Sequence, residues 1–512
     1  MNRVVFVLVA ILLLLSISPM TGLIHVVKAD GGTITINADG SITPSTAPIY
    51  TADNVTYTLT GNITITSDTN EIEIERDNII LDGAGYTVSG SGNGSGIAIM
   101  TNISNVTVTN TRITDLAFGS GIVLESSSDN AFSGNTIANN MIGIWLWESS
   151  GNTLSGNNVA NNSWGIYLDS SSDNNTLSDN NVTANSGNGI YIFNSSDNNT
   201  LSDNNVTANS GNGIYIFNSS DNNTLSGNKI TNNYDGVDLD SSSGNTLSGN
   251  NVTASGSSGI YLDSSSGNTL SGNNVASNYD GIGLNFASGN TLSGNNVVTN
   301  NYRGIYVSSS SDNNLLGNHI ANNTANGVDL EYSSNCTLSS NNVTASNWNG
   351  IYLDSCSYCS LSGNNVANNT ANGIFLDYSS SNNTLTDNNA TANGEVGIFV
   401  FNSSSNIIFF NNFVNNALHP AYIEFSANIW DNGSIGNYWS DYLTKYPNAT
   451  ETDGVWNTPY VYDANNTDYY PLTVPIAVIP EFPSFLILPL FLIATLLAVI
   501  IYKKKATPYR RL

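Results

Sequence analysis

An all-β fold, a right-handed single-stranded parallel β-helix with coils of about 23 residues, is what this sequence predicts, on three observations. A Gly followed by Ile or Val recurs from Gly121 to Gly397 at intervals of 22 to 24 residues. An octapeptide, Asn-Thr-Leu-Ser-Gly-Asn-Asn-Val, repeats in step with it, as at Asn152, Asn245, Asn268 and Asn290. No apolar pattern of helical period runs through the repeat, which excludes the helical solenoids.

Each unit reads as a few very short strands. In Gly259 to Asp263, Ile260 and Leu262 alternate with Tyr261 and Asp263, the period-two signature of a half-buried strand. In the octapeptide from Asn268, Leu270 and Val275 point inward while Ser, Gly and Asn turn the chain. A unit this small cannot bury its own apolar side, so units must stack coil on coil, with parallel pairing between equivalent strands. At about 4.8 Å per coil, the glycine-marked units make a rod of roughly 60 Å. Ile122, Ile144, Ile166 and their successors form one inward column, and Leu124, Leu146 and Leu168 begin the next. The paired asparagines, such as Asn273 and Asn274, read as structural ladders because Asn tolerates left-handed turns and its amide can bond to its counterparts above and below.

The flanks differ. Residues 1–29 place Arg3 before an apolar run and Ala29 after it, the order of an export signal. Residues 30–95 read as irregular strands (Thr33 to Ile36, Val55 to Leu59, Ile72 to Ile74, Ile79 to Leu81) that cap the stack. Residues 96–415 are the repeats, and 416–475, richer in aromatics and Pro, a second cap. A Pro-containing linker, 476–484, leads to an apolar run over 485–502, long enough to span a bilayer. Lys503, Lys504 and Lys505 follow in a basic tail, 503–512, which by the positive-inside rule stays cytoplasmic. The expectation is a cell-surface protein held in the cytoplasmic membrane by one C-terminal helix.

With 39 acidic against 12 basic residues and a net charge of −27, the chain repels phosphate backbones, which excludes nucleic acid as a partner. Three cysteines exclude a disulfide-dense scaffold. Sequons such as Asn54-Val-Thr, Asn62-Ile-Thr, Asn181-Val-Thr and Asn251-Val-Thr are candidate glycan acceptors on an exported chain.

The repeats, the stretch Asn78 to Tyr86, the segment Gly436-Asn-Tyr-Trp-Ser-Asp-Tyr442, Thr458-Pro-Tyr460 and Asp468-Tyr-Tyr-Pro-Leu472 together resemble the NosD-like β-helix repeat proteins common on archaeal cell surfaces. The resemblance implies the fold and carries copper-related and carbohydrate-related roles. Many relatives have a Gly- and Asp-rich loop before Thr-Pro-Tyr. Here that loop, Glu451 to Asn457, retains few carboxylates. No Met-rich or His-rich cluster supports copper, since His25, His319 and His419 lie far apart in the sequence.

The outward columns hold the candidate chemistry. Between the inward apolar residues stand Trp145, Tyr167, Tyr191, Tyr215, Tyr261, Tyr306, Tyr352, Phe375 and Phe399, candidates to stack on sugar rings. Two positions on, carboxylates dominate. Asp240 with Asp263, and Glu331 with Asp354 and Asp377, are the pairs expected to hold calcium, because like charges one coil apart repel. The competing reading is that stacked aromatics stabilise the sheet and the acids keep it wet. For an enzyme, Asp238, Asp240 and Asp263 supply the carboxyl pair that glycoside hydrolysis needs. Arg303 reads as the partner of Asp280 one coil below. Cys336 and Cys359 occupy equivalent positions of consecutive coils, within disulfide range, leaving Cys356 free.

The expected function is an envelope-structural or adhesive surface protein, non-catalytic, binding polysaccharide or other envelope components with calcium as its one candidate cofactor. The alternatives are a polysaccharide hydrolase or lyase of the pectin-lyase-like fold and a NosD-type copper accessory protein.

Overall fold

In a computed structural model, which describes residues 26–28, 32–65 and 68–477, the chain winds into a right-handed parallel β-solenoid of about 17 turns with about 23 residues per turn. Each coil contributes one strand to each of three sheets, as in Ser258–Asp263, Thr269–Ser271 and Asn274–Ala276. At about 4.8 Å per coil the stack is roughly 80 Å long.

Register is strict, equivalent residue on equivalent residue. In the first sheet Leu239 pairs with Leu262 and Leu262 with Leu284; in the second, Leu247 with Leu270; in the third, Val252 with Val275. Ile260, Leu262, Leu270 and Val275 are all fully buried, so the inward columns are the core itself.

The marker glycine follows from packing where the chain turns into the first sheet. A Cβ on Gly259 would lie 2.4 Å from Val275 Cγ1, 2.6 Å from Asn278 Nδ2 and 2.8 Å from the Gly281 carbonyl oxygen, so no larger residue fits.

Buried asparagines close the corners. Asn250 Nδ2 donates to Asn273 Oδ1 at 3.0 Å and to the Leu225 carbonyl at 3.0 Å, while the backbone N–H of Asn250 donates to the same Asn273 oxygen at 3.0 Å. Repeated coil after coil, this satisfies the polar backbone at a bend where no strand can. The second Asn of each pair faces outward and makes a lighter ladder, as Asn274 Nδ2 to Asn251 Oδ1 at 2.6 Å.

The cysteines are rungs of such ladders. Cys336 and Cys359 continue the buried column Asn290–Asn313, and Asn383 resumes it; Cys356 replaces a buried serine between Ser333 and Ser380. The expected Cys336–Cys359 bridge is not formed in this structure, where all three are free thiols, Cys336 facing the Ser310 and Ser334 carbonyls and Cys359 those of Ser333 and Ser357.

Parallel pairing begins before the repeats, with Val26–Lys28 against Asn62–Thr64 and Ile34–Ile36 against Ile72–Ile74, the latter inside the segment expected to cap the stack. Capping there is done by two antiparallel pairs, Ile34–Ile36 with Ile42–Thr43 and Ile49–Thr51 with Thr56–Leu59. At the other end, parallel strands run to His419–Glu424 in the first sheet and to Tyr438–Trp439 in the third. The cap beyond them extends the ladders: Asn411 donates its N–H to Asn437 Oδ1 at 3.1 Å and Asn428 to Asn466 Oδ1 at 3.1 Å. Asp468 is buried and accepts from Asn437 N–H (2.7 Å), Trp439 Nε1 (2.8 Å) and Tyr470 N–H (3.0 Å). Trp439 stacks on Tyr460 at 4.3 Å. The Gly436–Tyr442, Thr458–Tyr460 and Asp468–Leu472 motifs therefore meet in one plug over the last coil.

The apolar span expected over 485–502 and its basic tail lie outside the described residues, as does most of the expected export signal; Val26–Lys28 extends the third sheet beside Asn62–Thr64. Among the described residues no helix is long and apolar enough to cross a membrane.

Candidate functional site

The outer face of the first sheet carries two parallel files. One runs Trp145, Tyr167, Tyr191, Tyr215, Asp238, Tyr261, Gly283, Tyr306, Asp329, Tyr352, Phe375, Phe399. The other brings Asp240 beside Asp263, and Glu331, Asp354 and Asp377 onto consecutive coils, the groupings the sequence suggested.

Where the first file is unbroken its rings stack on one another. Tyr167 and Tyr191 lie 5.0 Å apart, Tyr191 and Tyr215 5.1 Å, Phe375 and Phe399 4.4 Å, all within a few degrees of parallel. Ring faces there are occupied by neighbouring rings, and only edges reach solvent. For Tyr167, Tyr191, Tyr215, Phe375 and Phe399 the arrangement therefore favours sheet stabilisation over sugar stacking. Burial within the stack pushes the Tyr191 hydroxyl up to about 12.

Three coils break the file; the sequence offered Asp238 and Asp329 as candidate catalytic acids but not as interruptions of the ring stack. Asp238 stands between Tyr215 and Tyr261, Gly283 between Tyr261 and Tyr306, and Asp329 between Tyr306 and Tyr352. Each break interrupts the ring stack; at Gly283 the Tyr261 ring leans into the gap, its Cδ2 2.9 Å from where a Cβ would stand. Asp238 Oδ2 accepts from Asn212 Nδ2 at 2.8 Å, and Asp329 Oδ2 from Asn326 Nδ2 at 3.1 Å; in both residues Oδ1 is buried with no hydrogen-bond partner. Burial raises Asp238 to about 8, helped by the neighbouring carboxyls of Asp235 and Asp240, and raises Asp329 to about 6. The sequence signal was present but faint: an acid where every flanking coil carries an aromatic. Asp235, buried and bonded by the Ser258 N–H at 2.6 Å, was missed altogether.

The tyrosine hydroxyls tie the files together. Tyr306 donates to Glu331 Oε2 at 3.0 Å, Tyr352 to Asp377 Oδ2 at 2.9 Å and Tyr215 to Asp240 Oδ2 at 3.4 Å, each one coil on. Serines engage the remaining acids: Ser241 to Asp240 at 2.8 Å, Ser264 to Asp263 at 3.2 Å, Ser355 to Asp354 at 2.8 Å. Among the described residues, no three of His, Cys, Asp and Glu converge as a metal site. Arg303 forms the expected pair with Asp280, Nε to Oδ1 at 3.2 Å and a second nitrogen to Oδ2 at 3.1 Å, and lies 3.5 Å over the Tyr306 ring.

Chemically, this face offers edge-on phenols, two protected carboxyls and a ledge of carboxylates. Asp238, holding its proton at neutral pH, is a donor rather than an acceptor at its free oxygen.

The family model "Right handed beta helix region" matches residues 48–230 and 221–347, and "Periplasmic copper-binding protein (NosD)" matches 320–444. No curated protein matches the chain in sequence. Among solved structures, the A-module of mannuronan C-5 epimerase AlgE4 from Azotobacter vinelandii is 18% identical, with 61% of this chain and 91% of that one covered, at a TM-score of 0.45. DFA-IIIase from Arthrobacter chlorophenolicus A6 is 10% identical, covering 55% and 83%, TM-score 0.36. The Dettilon tailspike protein is 15% identical, covering 62% and 60%, TM-score 0.35. With its repeats, its ladders and the plug over its last coil, the chain belongs to the NosD-like right-handed β-helix family.

Proposed function

We propose that this protein is an exported, membrane-tethered envelope rod that holds polysaccharide on the outer face of its first sheet, at the breaks in the ring file around Asp238 and Asp329. One observation carries this reading: each aspartate takes a tyrosine's place between two tyrosines of the file and keeps a buried Oδ1 without a hydrogen-bond partner. An unpaired buried polar atom costs about 1–3 kcal/mol unless something bonds to it. Sugar hydroxyls, backed by ring edges, are suited to do so. The periplasmic location in the matched family description supports the extracytoplasmic placement.

Copper, which that description names, takes imidazole, thiolate or thioether donors. Here His319 is exposed against Asn342, and the three cysteines are buried with their thiols turned to backbone carbonyls. The donors do not fit a copper centre.

A second reading, glycoside hydrolysis, is favoured by Asp238 alone, a proton-holding acid with Asp240 and Asp263 beside it. A glycan array probed with the full chain, with and without calcium, tests the first reading, and assays for reducing ends and unsaturated products test the second. Retention lost in Asp238→Asn and Asp329→Asn supports binding at the breaks; no retention with calcium present overturns it. Reducing ends that appear without unsaturated product and vanish in Asp238→Asn make the protein a hydrolase.

A further inference from the structure

The turn leaving the first sheet sets one residue per coil in the left-handed region. Down the rod this position is Ser241, Ser264, Phe286, Ser309, Tyr332, Ser355, Tyr378, Asn402 and Phe425, with φ between 39° and 54°. Small polar residues suit such a backbone; a bulky aromatic does not. From Phe286 onward, nevertheless, every second coil carries one. Nor does burial offset the strain, since Phe286 is 61% exposed, Tyr332 65%, Tyr378 57% and Phe425 81%. Tyr378 and Phe425 each touch the edge of Phe401, at 5.8 Å between ring centroids. Yet all four rings stay more than half exposed, and strain kept at exposed rings points to use by something outside the chain.

We infer that Phe286, Tyr332, Tyr378 and Phe425 form a track for an uncharged, extended polysaccharide of diequatorially 1,4-linked hexopyranoses. This rests on the polysaccharide-binding reading and names the polymer. One coil advances by about 4.8 Å, close to the length of one such sugar. In a diequatorially linked chain successive sugars present opposite faces, so the same face recurs on every second residue. A ring on every second coil, about 9.6 Å apart, therefore meets one kind of face each time, and the apolar C–H side of a pyranose packs on an aromatic ring. An axially linked chain coils away from a straight file.

Charge narrows the class. The residues just before the four rings are Asn285, Glu331, Asp377 and Glu424, and the last three accept from Tyr306, Tyr352 and Tyr422 hydroxyls at 3.0, 2.9 and 2.7 Å. Their free lone pairs accept from sugar hydroxyls, while a polyuronate is repelled.

Calorimetry on the purified full chain tests this with cellohexaose and chitohexaose, against maltohexaose and hexagalacturonate. The variant replaces all four rings, Phe286→Asn, Tyr332→Asn, Tyr378→Asn and Phe425→Asn. Asn already occupies position 402 and relaxes the left-handed turn, so melting is expected at an unchanged or higher temperature. The expected result is binding of a diequatorially linked hexaose, weakened about tenfold or more in the variant, with affinity rising stepwise for each two sugars added. Equal binding of maltohexaose, undiminished binding by the variant, or no binding of either neutral hexaose overturns the track. If Asp238→Asn with Tyr261→Ala abolishes retention and the ring variant does not, binding at the breaks stands and the track falls. The reverse pattern keeps the track and removes binding at the breaks.

Discussion

Asn250 and Asn273, one coil apart, share a single oxygen: Asn273 Oδ1 accepts both the side-chain amide and the backbone N–H of Asn250, each at 3.0 Å. The neighbouring Asn274 makes its ladder contact on the outer surface. Sequence gives the two the same letter, but truncation should separate them. Asn273→Ala leaves the Asn250 N–H and the Leu247 carbonyl without that partner, at about 1–3 kcal/mol for each stranded group. Asn274→Ala is expected to stay within about 0.5 kcal/mol. Chemical denaturation of the two variants checks the difference, and equal losses would contradict the ladder's role.

Core and corner predictions test the stacking directly. Leu262→Ala removes a fully buried rung and should cost about 2–5 kcal/mol. Gly259→Ala is expected to destabilise by about 1–3 kcal/mol, because its Cβ runs into Val275 and the Gly281 carbonyl. An exposed control, Gly272→Ala, meets nothing within 4 Å but has φ near 61°, so its smaller loss measures backbone strain alone.

Acidity should stabilise this chain. Burial raises Asp238 to about 8, Glu71 and Asp468 to about 7 and Asp329 to about 6. Between an ordinary carboxyl pKa near 4 and those values, the folded chain holds protons that the unfolded chain has released. Stability therefore falls as pH rises through that window. Thermal melts at pH 5 and pH 8 should show the higher transition at pH 5, and Asp238→Asn should narrow the gap. A transition that climbs steadily toward pH 8 would contradict these buried acids.

Mild oxidation should link Cys336 to Cys359. They are adjacent buried rungs, and the Cys359 side chain lowers the Cys336 thiol. Burial lifts Cys356 to about 12, which keeps it an unreactive thiol. Peptide mapping without reductant should find the 336–359 link with Cys356 unpaired. Closing a loop of that size stabilises by about 3 kcal/mol on the chain-entropy account. Any link through Cys356 would be inconsistent with its place in the serine column.

Much of the rod was legible in the letters because a solenoid is local. Each coil contacts its neighbours, so the period, the inward Ile and Leu columns and the pairing of Arg303 with Asp280 all follow from counting along the chain. The spacing also brought Asp240 to Asp263 and Glu331 to Asp354. What counting could not supply was the third dimension of each column: whether rings lean on each other, and where an acid is shut away from water. Tyr191 looked like a sugar platform until its faces proved covered by Tyr167 and Tyr215. Asp329 stood in the sequence as a carboxyl near Glu331 and Asp354, and only the fold put it 5% exposed with an unbonded oxygen.

The sequence by itself determined the coil, its length and which residues share a column, because repeat spacing maps directly onto vertical register. Only the tertiary structure decided which columns are closed and which open, because ring stacking and burial depend on the residues one coil above and below. A missing ring at Asp238 or Asp329 leaves a buried, unbonded oxygen only because of its neighbours.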